Sequence, residues 1–100
     1  MAAFQVTSSE LKAKANELRE LDAQFKTQAG NLESQEGSLI SMWEGEARNA
    51  FDMAFKSDKA QMDNFYNLIQ QYCVALDNIA AKYDMAEARN VSTAQARTYK

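Results

Sequence analysis

The sequence predicts an all-α protein: an antiparallel helix-turn-helix hairpin that dimerises into an elongated four-helix bundle. Three observations lead there. The 100 residues include no proline and only three glycines, so little in the chain interrupts a helix. Two long stretches carry large apolar residues at helical spacing. Between them, at Met42-Trp43-Glu44-Gly45-Glu46, the apolar phase changes around a glycine.

The first helix is expected over 8–41. Thr7-Ser8-Ser9-Glu10 has the spacing of a capping box just before Leu11, with Thr7 as the N-cap. From there Leu11, Leu18, Phe25, Leu32 and Leu39 recur every seven residues. Ala15 and Ala29 fall at the intermediate seam positions, which Trp43 extends, but Asp22 and Glu36 occupy the same set and weaken a pure coiled-coil reading. Gly30 and Gly37 cost about 1 kcal/mol each relative to Ala. Their spacing of seven suggests a close helix approach, with surface tolerance or a local bend as the alternative.

Residues 42–46 form the expected turn, where Gly45 permits backbone conformations that a side chain hinders. The second helix, over 47–87, carries Phe51, Phe55, Met62, Phe65, Ile69, Tyr72, Leu76, Ile79 and Tyr83 in a four-three alternation interrupted only at Asp58. After Glu87 the chain is polar, and 88–100 reads as a frayed or flexible tail. The whole of 1–100 is expected to be one domain. At 1.5 Å per residue the helices would measure about 50 and 60 Å. Two such helices meet along one seam only, and a second hairpin would cover what remains of their apolar stripes. The thirteen large apolar residues from Leu11 to Leu39 and from Phe51 to Ile79 are therefore the expected packing or dimer interface.

Composition removes several function classes. With no histidine and a single cysteine, Ser-His-Asp and Cys-His arrangements, ordinary zinc sites and disulfide frameworks are all unavailable. Cys73 follows Tyr72 on a helix with nothing nearby to activate its thiol, so a buried structural role is expected. The glycines are dispersed and form no phosphate loop. No enzyme activity, cofactor or metal is expected. A net charge of −3 with acids interleaved among Lys12, Lys14, Arg19 and Lys26 argues against nucleic acid as a partner. Direct membrane binding is not expected either, because acidic residues interrupt both helices and no strongly basic face appears. Met1–Thr7 has neither a basic start nor an apolar run of signal-peptide length.

Two short motifs then acquire meaning together. Trp43-Glu44-Gly45 at the turn, and Tyr83 followed four residues later by Glu87, resemble the signature of the ESAT-6-like, WXG-motif (WXG-100) family associated with type VII secretion in bacteria. The chain length and flanking helices extend the resemblance to the whole layout. It implies a hairpin that pairs with a second copy or a related chain, with a homodimer favoured. It also implies export by an ESX or Ess-like system, from the cytoplasm to the outside without a signal peptide, with Tyr83 and Glu87 in the secretion signal. In such a pair the turn residues Trp43 and Gly45 of one chain would lie near Tyr83 and Glu87 of the other.

The partners so implied are a second copy, the type VII secretion ATPase and a larger secreted effector. The leading functional expectation is a small secreted helical protein acting through protein–protein interaction, with effector roles toward a host or competitor as in the family. An export chaperone or targeting adaptor for a larger helical effector is the second reading. A membrane-disrupting effector is the third.

Overall fold

The computed structural model describes the backbone of residues 6–98 and the side chains of residues 6–86. Its elements are two helices, α1 (Ser8–Ser41) and α2 (Glu46–Thr98), in a helix-turn-helix hairpin. α1 begins with Thr7 as its N-cap: the Glu10 amide donates to Thr7 Oγ1 at 3.0 Å, and the Leu11 amide donates to the Thr7 carbonyl at 3.1 Å. An otherwise orphaned first-turn donor is thereby satisfied.

The end of α1 tightens. The Met42 and Trp43 amides donate to the carbonyls of Leu39 and Ile40 at 3.1 and 3.3 Å, bonds that step three residues back. Gly45 then takes φ +112°, a conformation costly for any residue with a Cβ. Its carbonyl accepts the Asn49 amide at 3.3 Å, so Gly45 is also the N-cap of α2. Glu46 puts an acid in the first turn of that helix, where the helix dipole favours negative charge.

Two expectations need correction. α2 does not end at 87: the helix continues through Thr98, across most of the stretch read as a tail. Polarity there suggests an end of helix, yet 88–98 contains neither glycine nor proline, so nothing breaks the backbone ladder. Residues 99–100 and the side chain of Glu87 lie outside the described residues. Gly30 and Gly37 mark no close approach, because a Cβ built at either would meet nothing within 4 Å.

The chain divides into two compact units, one from the segments up to Leu18 and from Gln71 onward, the other from Arg19–Gln70. In the first, Ala15, Cys73 and Ala80 are fully buried and Ser8 nearly so. In the second, Asp22, Ala29 and Glu36 are the buried residues. The innermost residues of α1 are thus Ser8, Ala15, Asp22, Ala29 and Glu36, every seventh position, and none is a large hydrophobe. When only two helices meet, the line of closest approach admits small side chains or polar groups that find partners, while bulky ones lie along its flanks.

Candidate protein-interaction and export surface

The turn is built from both helix ends. Trp43 is half-buried and its ring lies 5.7 Å from that of Phe51, tilted by 51°, so the indole covers the start of α2. Arg48 Nε donates to the Ile40 carbonyl at 3.2 Å. α1 has no basic residue in its last turn, and Arg48 supplies from α2 the positive charge that a helix C-terminus favours. Ile40, Trp43, Gly45, Arg48 and Asn49 line a shallow depression here.

The large apolar residues expected to pack fall into two groups. Leu11, Leu18, Phe25, Phe55, Met62, Ile69 and Leu76 are half-buried. Leu32, Leu39, Phe51, Phe65, Tyr72 and Ile79 are exposed, Leu32 at 51% and Tyr72 at 52%. In the second unit the Phe25 and Phe65 rings meet edge to face at 5.3 Å, and Leu21, Ala23, Gln24, Phe25, Thr27 and Gln28 line an open depression on α1. Lys26 Nζ sits 4.8 Å from the centre of the Tyr66 ring, a cation–π contact between α1 and α2.

The polar residues that interrupt the seam pattern, Asp22 and Glu36, are buried in it. Asp22 Oδ2 accepts from Gln70 Nε2 at 2.9 Å. Glu36 lies against Asp52, which pairs with Lys56 at 2.8 Å. Burial, then the hydrogen bond with Asp52, raises the Glu36 carboxyl above the usual glutamate range. The hydrogen bond from Lys56 is the chief reason that Asp52 is held below its own. Glu36 therefore keeps its proton to higher pH than an ordinary glutamate, and in that protonated form it can donate to the Asp52 carboxylate.

The C-terminal motif is anchored in the first unit. Tyr83 is 45% exposed. Its neighbour Asp84 accepts hydrogen bonds from Ser8 Oγ and from Lys12 Nζ at 2.9 Å. The Ser8 hydroxyl first, and Lys12 second, hold the Asp84 carboxyl below the usual aspartate range. The Asp84 contacts, like the Asp22 and Glu36 contacts, were not anticipated as functional. The signal was present all the same, because Ser8, Asp22 and Glu36 are fourteen residues apart, two heptads, at positions where a seam should be apolar.

Trp43 and Gly45 belong to the second unit and Tyr83 to the first. Among the described residues no group of three His, Cys, Asp or Glu side chains could hold a metal ion. Cys73 is a free, buried thiol. No described helix is long and apolar enough to cross a membrane.

Two long helices joined by a Trp-Glu-Gly turn define a class of small helical-hairpin proteins. Residues 3–88 match the family described as WXG100, proteins of 100 residues with WXG, and the chain belongs to that family. Among solved structures it is similar to the secreted protein EsxB of Bacillus anthracis str. Sterne. The wild-type form is 25% identical, with a TM-score of 0.74 over 83% of this chain and 89% of that one. A selenomethionine-labelled form aligns with a TM-score of 0.76 at 24% identity, over 87% of this chain and 99% of that one. No curated protein matches the chain by sequence.

Proposed function

We propose that this chain is a type VII secretion substrate that works as a paired helical hairpin, a four-helix bundle of two copies, and acts by protein–protein contact. The observation that carries this reading is the row of large apolar side chains left exposed beside a seam of small and polar ones. Such a row is the surface a second hairpin would cover. Family membership and the secreted character of EsxB support the route. In this reading Tyr83 and Glu87 form the export signal, and the partner copy brings its Trp43 and Gly45 close to it. The protein waits in the cytoplasm as a folded dimer until an ATPase-driven apparatus engages the helix end.

The test combines light scattering of the purified protein with export measured in cells lacking the type VII ATPase. A mass of two chains and loss of export without the ATPase are expected. A monomer at all concentrations, or unchanged export, overturns the reading. The exposed row would equally suit a larger helical effector, which makes a chaperone or adaptor role the second reading. Coexpression with neighbouring gene products separates the two, since a heterodimer would displace the homodimer.

A further inference from the structure

We propose that Asp84 is a positioning residue for the export motif, tying the Tyr83 segment of α2 to the first turns of α1 and making Ser8 and Lys12 part of the composite signal. The inference rests on the reading of Tyr83 and Glu87 as that signal. An α-helix fixes where residues lie along its own axis, but not how it is rotated against a neighbour. In the first unit the fully buried side chains, Ala15, Cys73 and Ala80, are small and offer little to resist such rotation. Asp84 supplies the missing constraint. Its two carboxylate oxygens are held separately, Oδ1 by the Ser8 hydroxyl and Oδ2 by the Lys12 ammonium at 2.9 Å.

Ser8 and Lys12 are four residues apart and so share a face of α1. Two contacts from successive turns set both the axial position and the rotation of α2 at residue 84. Tyr83 precedes Asp84 by one residue, about 100° around the helix. With Asp84 turned toward α1, Tyr83 is directed to the side, where it is half-exposed. The Cα of Glu87, four residues on, follows the same face.

Lys12 and Asp84 are both substantially exposed, at 53% and 44%, and pairs of this kind add little to stability. Orientation and stability can therefore be separated by experiment. Export would be measured for Asp84→Ala, for Ser8→Ala with Lys12→Ala, and for the charge-swapped pair Lys12→Asp with Asp84→Lys, beside Tyr83→Ala. Circular dichroism and thermal unfolding would accompany each.

The first two variants are expected to lower the exported fraction by up to about fivefold, the population shift an exposed pair can sustain, with helicity retained. The swapped pair should recover most of the export, since the Ser8 hydroxyl can also accept from a lysine. Normal export of Asp84→Ala while Tyr83→Ala is blocked overturns the positioning role and leaves the motif reading intact. Failure of the swapped pair to recover also overturns it, because the carboxylate at 84 would then be read directly. Normal export of Tyr83→Ala overturns the motif reading itself. Should Asp84→Ala unfold, the swapped pair carries the test alone.

Discussion

At the scale of single residues, the glycines divide by what the backbone demands of them. Gly45 sits at φ +112°, so Gly45→Ala should lose about 1–3 kcal/mol of stability, read as a lower urea midpoint. No neighbour would obstruct the new methyl, which assigns the loss to backbone strain. Gly37 lies inside α1 with open space around its Cα. Gly37→Ala should therefore raise stability by up to about 1 kcal/mol, in the same urea experiment. The sequence makes both glycines visible, but only φ tells them apart. Thr7 was legible without that help, because hydroxyl and acid at N-cap spacing form a local signal.

At the scale of the element, the Glu36–Asp52 contact predicts a particular response to pH. Glu36 has its carboxyl raised by burial and by Asp52, so it binds its proton more tightly when folded. Its contribution to stability is complete below the unfolded value and is lost as pH rises through the folded one. Asp52 and Asp84 are lowered and behave in the opposite sense. Their contributions hold above the unfolded value and are lost as pH falls through the folded one. Glu36→Gln keeps a donor toward Asp52 at every pH. The stability difference between this variant and the parent should widen in the variant's favour from below the ordinary glutamate value up to neutrality. Urea unfolding over that range checks it, and a flat difference would sink the idea. The helices themselves were largely legible, since seven-residue recurrence and the absence of proline act locally. Which line of the heptad faces the other helix was not. Hydrophobicity favours the row from Leu11 to Leu39, whereas the geometry of two helices brings Ala15, Asp22, Ala29 and Glu36 innermost. The end of α2 was missed for a related reason: polarity reports burial, and backbone continuity depends on other properties.

At the scale of the whole molecule, the exposed apolar row predicts association. Leu32, 51% exposed on α1, would place a charge in the interface when replaced by glutamate. Leu32→Glu should weaken self-association by about tenfold or more while circular dichroism stays helical. Sedimentation across a concentration series measures this, and unchanged association would remove the α1 row from the proposed interface. The Trp-Glu-Gly turn and the spacing from Tyr83 to Glu87 were readable in the sequence because they are contiguous motifs. The clasp between Ser8, Lys12 and Asp84 was not, since Asp84 is more than seventy residues from each of the other two and only folding brings them into contact.

The Asp22–Gln70 hydrogen bond bears on errors as well as on the native arrangement. The alanines of the seam, Ala15 and Ala29 on α1, are permissive, because side chains this small would let a hairpin settle seven residues out of step. Moving α2 by one heptad past Asp22 would replace Gln70 with Asp63 in one direction and with Asp77 in the other. Either slip sets two carboxylates against each other where Asp22 is 97% removed from water, given its 3% exposure. Misaligned hairpins are thus penalised by charge at a position where shape alone would tolerate them.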